Sequence, residues 1–149
     1  MKICLVASHG GHFTELMQIL AAFAGHDLVF VTYHSAREAE VKQLGRTYFT
    51  NNIGTSPWRM LRSTGWAATI LLQERPEVIV SLGAEIALPF FYLGKLLGIR
   101  TIFVESWCRV EDLSKTGKLI YPVADVFLVQ WPQLLEVCGP KAQYWGTVI

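Results

Sequence analysis

Apolar residues in this chain fall into two alternating patterns. One is the short, near-continuous run: Ile3-Cys4-Leu5-Val6-Ala7, Leu28-Val29-Phe30-Val31-Thr32-Tyr33, Val78-Ile79-Val80-Ser81, Thr101-Ile102-Phe103-Val104 and Val126-Phe127-Leu128-Val129. Runs of this length, rich in β-branched and aromatic residues, predict strands buried on both faces, as in a parallel sheet. Residues 46–50 and 143–145 predict two shorter strands. The other pattern has helical spacing, clearest in Phe13, Leu16, Met17, Leu20 and Phe23, which predicts a first helix over 13–23. Further helices are predicted from a Ser35 cap through Leu44, over 57–74, over 84–97, from a start within 109–118 to 123, and over 131–137.

The breaks between these segments carry their own chemistry. Gly25-His26-Asp27, Gly45 and Gly98 stop helices, and Ser56-Pro57 opens one, because serine caps and proline tolerates the first turn. Arg75-Pro76 closes it, since the residue before proline is pushed out of helical angles. Pro89 is compatible with its helix if the regular part begins only a few residues earlier. Strand and helix alternate throughout, with no linker, repeat or low-complexity stretch. The expected fold is therefore α/β, a doubly wound parallel sheet forming one domain over 1–149.

Composition narrows the class. Hydrophobic residues make up 52% and mean hydropathy is +0.33, which calls for a sheet buried on both faces or a surface that meets lipid or a partner. Thirteen basic against twelve acidic side chains leave a net charge of +1 with no basic tail, which argues against nucleic acid as the main partner. The opening run holds one lysine and is too short for a secretory signal, and no uncharged apolar stretch approaches the roughly 18–20 residues needed to span a bilayer. A cytoplasmic location is expected. Cys4, Cys108 and Cys138 are widely separated and lack metal-ligand spacing, so three reduced thiols and no metal site are expected, with Cys4 in the core.

In such a sheet the ligand crevice lies outside the carboxyl ends of the strands. Three loops there are chemically loaded: 8–15, 81–85 and 105–118. In the first, Ser8-His9-Gly10-Gly11-His12 joins strand to helix, and paired glycines beside free helix N–H groups suit an anion. His12 can take a proton from a hydroxyl or hydrogen-bond a phosphate, or it only orients the turn. Glu85 and Glu105 are strand-end carboxylates that can serve as a base or cap backbone N–H groups. Arg109, Lys115 and Lys118 supply cations for a diphosphate, or form a solvated face. A dinucleotide fingerprint is incomplete, because the third glycine and the acid ending strand two are missing; the phosphate-loop lysine motif is absent, and Ser106 lacks the glycines of a nucleophile elbow. No cofactor is expected. Trp58, Arg59, Arg62 and Trp66 give helix 57–74 the aromatic and cationic character of a membrane-surface helix, with an ordinary packing helix as the alternative.

These residues together resemble a known family. Ala7-Ser8-His9-Gly10-Gly11-His12-Phe13-Thr14-Glu15, Ser81-Leu82-Gly83-Ala84, Phe103-Val104-Glu105-Ser106-Trp107-Cys108-Arg109-Val110, Ser114-Lys115-Thr116-Gly117-Lys118, 125–131 and Tyr144-Trp145-Gly146 resemble the membrane-associating, acceptor-binding subunits of two-component glycosyltransferases, including the PssD-like bacterial members. The resemblance implies a Rossmann-like domain equivalent to the amino-terminal half of a GT-B glycosyltransferase. It further implies a PssE-like partner that binds the nucleotide sugar, a polyprenyl-diphosphate-linked sugar as acceptor, and a role in capsule or exopolysaccharide assembly. In site terms it implies His12 and Glu105 as catalytic candidates, with Ser8, Gly10, Gly11, Gly83, Arg109, Lys115 and Lys118 around the acceptor and its phosphates. Eukaryotic anchor subunits carry an amino-terminal membrane helix, whereas this sequence opens on its first strand, so peripheral attachment at the inner face of the cell membrane is expected, through the 57–72 helix or the apolar 86–97 helix. Two other readings stay open: a non-catalytic scaffold for the partner, and a free-standing nucleotide-sugar-binding enzyme.

Overall fold

A computed structural model describes residues 1–149. Seven strands, β1 (Lys2–Ala7), β2 (Asp27–Tyr33), β3 (Arg46–Thr50), β4 (Val78–Gly83), β5 (Arg100–Val104), β6 (Val126–Val129) and β7 (Ala142–Tyr144), form one sheet in the order β3-β2-β1-β4-β5-β6-β7. Every pairing is parallel. Strand order reverses between β1 and β4, which is where a doubly wound sheet opens its crevice.

The helices are α1 (Gly11–Gln18), α2 (Glu38–Leu44), α3 (Pro57–Glu74), α4 (Ala87–Leu96), α5 (Lys115–Ile120) and α6 (Leu134–Cys138). The first predicted helix divides: α1 ends at Gln18 and a 3₁₀ turn over Leu20–Phe23 carries the apolar stripe onward. Residue spacing of three serves both helix types, so the sequence pattern did not separate them. The helix expected to start within 109–118 begins at Lys115, capped by Ser114, which accepts a hydrogen bond from the Gly117 N–H at 2.8 Å, and it ends at Ile120 rather than 123. α4 begins at Ala87, leaving Pro89 in its first turn, where the missing N–H costs nothing.

Pleating sends alternate residues to opposite faces of the sheet. One face carries Cys4, Val6, Ile79, Phe103 and Phe127, and it is covered by α3, α4, α5 and α6. Phe90, Phe91, Phe103, Phe127 and Tyr121 fill that layer, with the Phe103 and Phe127 rings stacked at 5.2 Å. The other face carries Leu5, Phe30, Val80 and Leu82 beneath Phe13 and Leu16 of α1 and Val41 of α2. No helix lies over β5 and β6 on that side. There Ile102, Val104 and Leu128 line an open apolar cavity of about 500 Å³, walled by Phe23 and the segment 145–148.

At the amino edge of the sheet, buried Glu74 accepts from Lys2, Arg46 and the Tyr48 hydroxyl. Burial alone would raise its pKa. The hydrogen bonds from Tyr48 and Lys2 and the Arg46 charge outweigh that and hold it below the ordinary glutamate value. Cys4 is fully buried beside it, and desolvation pushes its thiol up to about 12, so it packs as an inert core residue.

Candidate functional site

The ends of β1 and β4 are joined directly at the switch point. The Ser8 N–H donates to the Gly83 carbonyl at 3.0 Å, and the Gly83 N–H donates to the Ser81 hydroxyl at 3.0 Å. Gly83 has φ +111°, and a Cβ built on it would lie 2.8 Å from Cε1 and 2.9 Å from Nδ1 of His12. Conformation and space both require glycine there. The histidine ring therefore lies flush against the β4 turn, bringing the first two predicted loops into contact.

Above it the cradle is open. Gly10 has φ +82°, Gly11 begins α1, and a Cβ on either would meet nothing within 4 Å. The Gly10 carbonyl is occupied by the Thr14 N–H and hydroxyl, at 3.0 and 3.2 Å. Of the two His12 ring nitrogens, Nδ1 is buried without a hydrogen-bond partner, whereas Nε2 makes no bond and stays accessible. Beside the cradle, His9 meets the ring of Tyr33 edge-on at 5.8 Å, and the Tyr33 hydroxyl donates to Glu85 at 2.7 Å while accepting from the Ile53 N–H. Burial and the Glu85 carboxylate raise the Tyr33 pKa well above the phenolic range, so it acts as a fixed donor.

The third loop joins through buried carboxylates. Glu105 is 1% exposed and accepts from the Ser106 N–H at 2.9 Å and from the Ser114 N–H and hydroxyl, both at 3.0 Å. Both its oxygens are thus occupied by its own loop, the capping arrangement that was one of its two expected roles. Glu15, one turn beyond His12 on α1, is also buried, and its carboxylate accepts from the Ser106 hydroxyl at 2.8 Å, the Trp107 N–H at 3.1 Å and Gln130 Nε2 at 2.8 Å. Gln130 Nε2 also donates to the Glu105 carbonyl, and its Oε1 accepts from the Val148 N–H at 3.0 Å. One residue of α1 therefore fixes the loop after β5, the end of β6 and the carboxyl-terminal segment.

The predicted cations are less convergent. Arg109 and Lys115 are exposed, and Lys118 pairs with Asp112 at 2.9 Å. Arg37, which sequence reading missed, lies 4.9 Å from the centroid of the Phe13 ring and 3.4 Å from the Thr14 hydroxyl, though Glu40 holds it. Nor did the sequence point to Glu15 as a hub; it lies off the apolar stripe of that helix, yet the structure buries it. On α3, Trp58 is exposed with Arg59 and Arg62, while Trp66 is half-buried with its ring edge-on to Phe90 at 6.0 Å. No helix is long and apolar enough to cross a membrane, and no group of three His, Cys, Asp or Glu side chains is placed to hold a metal ion.

Comparison with known proteins fits this arrangement. The chain is 29% identical to the human UDP-N-acetylglucosamine transferase subunit ALG14, covering 100% of this chain and 83% of that protein. It is 27% identical to the Candida albicans subunit of the same name, with 99% and 78% covered. Among solved structures, Acinetobacter baumannii MurG superposes with a TM-score of 0.79 at 17% identity over 98% of this chain. A UDP-GlcNAc 2-epimerase from Methanocaldococcus jannaschii gives 0.78 at 18% over 99%. The chain spans only 45% and 46% of those two structures, which show its Rossmann-like fold. The family described as oligosaccharide biosynthesis protein Alg14 like matches residues 41–148, most of the sheet and all but the first loop of the crevice, and the chain belongs to that family.

Proposed function

We propose that this chain is the acceptor-binding subunit of a two-component glycosyltransferase, a single Rossmann-like unit that holds a polyprenyl-diphosphate-linked glycan at the membrane. A PssE-like partner binds the nucleotide sugar and supplies the donor half. The product belongs to capsule or exopolysaccharide assembly, at the inner face of the cell membrane. The observation that carries this reading is the open Gly10-Gly11 cradle set against His12 and Gly83 at the switch point, in a chain related to transferase subunits. The uncovered strip over β5 and β6 supports a protein partner.

Transfer from a nucleotide sugar needs an acceptor hydroxyl relieved of its proton and a stabilised diphosphate leaving group. The partner supplies most of the second. On this chain, the α1 N–H groups and the cradle face the acceptor diphosphate, while Glu105 and Glu15 hold the loop bearing Trp107 and Arg109 in position. Two roles for His12 follow from its ring. As a base it works through Nε2, with its proton on Nδ1, where the free chain offers no acceptor. As a phosphate contact it donates from Nε2–H and leaves only an acceptor unpaired at Nδ1, the less costly of the two orphans. The geometry therefore favours the phosphate contact.

Reconstituting the chain with its partner tests both the function and the role of His12. H12A is expected to lower turnover roughly 100-fold or more, the usual scale for a lost acid–base or oxyanion group. H12Q keeps an N–H near the Nε2 position, so it should recover a substantial part of the rate if His12 binds phosphate and none if it is the base. Full turnover in H12A, with complex formation intact, would favour the scaffold reading. Transferase activity from this chain alone would overturn the two-component reading.

A further inference from the structure

The four α3 residues assigned above to membrane contact do not form one surface. Trp58 and Leu61, spaced i and i+3, are 76% and 64% exposed. Arg59 and Arg62, at the same spacing one position on, instead line an open polar cleft of about 590 Å³ between α3 and the loop after β3. Trp66, edge-on to Phe90, closes the inner end of that cleft.

The cleft wall is rich in donors and poor in competing acceptors. Neither arginine has a carboxylate partner, and the only intramolecular hydrogen bond either makes is Arg59 Nη1 to the Asn52 carbonyl at a long 3.5 Å. The Asn52 Oδ1 accepts the Gly54 N–H at 2.8 Å, which leaves its Nδ2 hydrogens free to donate. The side chains of Thr50 and Asn51 also line the cleft and make no hydrogen bond within the chain. From Arg46 to Gln73 the sequence holds three arginines and no aspartate or glutamate. A cleft lined by two unpaired guanidiniums and amide donors, without a nearby anion of its own, suits a phosphate oxygen cluster, because fork-shaped guanidiniums bind phosphate through paired N–H donors.

Resting on the membrane reading above, we propose that this cleft binds the phosphate of a lipid while Trp58 and Leu61 enter the bilayer beside it. The same chemistry is offered by an anionic phospholipid headgroup and by a prenyl diphosphate other than the one at the cradle. Either one, held here, sets the height of the Gly10-Gly11 cradle above the membrane.

Vesicle flotation with phosphatidylcholine alone and with added phosphatidylglycerol tests the proposal, beside calorimetric titration with geranyl diphosphate in the absence of vesicles. Both arginines are exposed, so R59Q/R62Q should keep the wild-type circular dichroism. If the phosphate comes from the bilayer, that variant loses roughly 10- to 30-fold in affinity for phosphatidylglycerol vesicles, the effect of two surface cations, and the heat with geranyl diphosphate, which the Gly10-Gly11 cradle gives, is the same in wild type and variant. If it comes from a second prenyl diphosphate, the arginine-dependent loss appears in the titration instead. Trp58→Ala should weaken vesicle binding with and without phosphatidylglycerol alike. Wild-type vesicle binding that R59Q/R62Q leaves unchanged, with no arginine-dependent heat, would overturn the cleft while the membrane reading stands. No wild-type binding to vesicles or to the diphosphate would overturn both.

Discussion

The two faces of the sheet are built to different degrees of completion. On one, four helices bury Phe103 and Phe127 in an aromatic layer. On the other, α1 and α2 cover β1, β2 and β4, but Ile102, Val104 and Leu128 look into an open apolar cavity. Neighbouring residues of β5 therefore live in opposite circumstances: Phe103 is fully buried and Ile102 is not. The contrast separates two jobs within one strand. The first face supplies the stability that keeps the crevice in shape, and the second leaves apolar area open.

Adjacent substitutions should break this contrast if it is false. Phe103→Ala removes a ring from a closed layer and is expected to cost about 3–5 kcal/mol of unfolding free energy, read by chemical denaturation. Ile102→Ala, one residue away, should cost about 1 kcal/mol, because little closed packing surrounds it. Equal costs would mean that both faces are finished. Ile102→Asp should leave the isolated chain folded yet weaken its complex with the donor-binding partner at least about tenfold, since a carboxylate would then be desolvated at the interface.

Glu15 gives the next largest effect and locates the boundary between the two regimes. Glu15→Ala strips the acceptor from the Ser106 hydroxyl, the Trp107 N–H and Gln130 Nε2 together. A loss of about 1–3 kcal/mol is expected from these buried orphans, together with a change in tryptophan fluorescence, because the Trp107 and Trp131 rings sit 5.7 Å apart and Trp131 Nε1 donates to the Trp107 carbonyl. Denaturation without a fluorescence change would show that the loop is held by other means.

The smallest effect is pH-dependent and belongs to the finished side. The folded pKa of Glu74 lies below the ordinary glutamate value of 4.5, so its contribution is present above that pH and is lost as pH falls below it. Asp125, held low by Lys95 and by the Thr101 N–H and hydroxyl against the opposing effect of burial, adds a similar loss below its ordinary 3.8. Acid titration of stability should flatten in Glu74→Gln at its upper end and keep the Asp125 part. An unchanged titration in that variant would mean Glu74 is equally paired in the unfolded chain.

Much of this was legible in the sequence, for reasons that also explain what was not. The strands announced themselves because a parallel sheet demands apolar residues on both sides, and Gly83 and Gly10 stand where turns need positive φ. That same rule hid the bare strip. Thr101-Ile102-Phe103-Val104 reads as buried twice over, and nothing local says that one cover is missing. Helix boundaries moved where short-range geometry decided them, as where α1 ends at Gln18 and a 3₁₀ turn takes over. The Glu15 hub was invisible for a different reason: its partners Ser106 and Gln130 lie 91 and 115 positions away, and only the order of strands brings them together.

The bond from the Val148 N–H to Gln130 has a practical side. Whatever is attached after Ile149 pulls on a link that runs through Gln130 to Glu15 and so to the loop carrying Trp107. Purification handles and fluorescent reporters are better placed before Met1, at the edge of the sheet where Lys2 meets Glu74, opposite the crevice. A carboxyl-terminal fusion would report on its own disturbance of the site it was meant to observe.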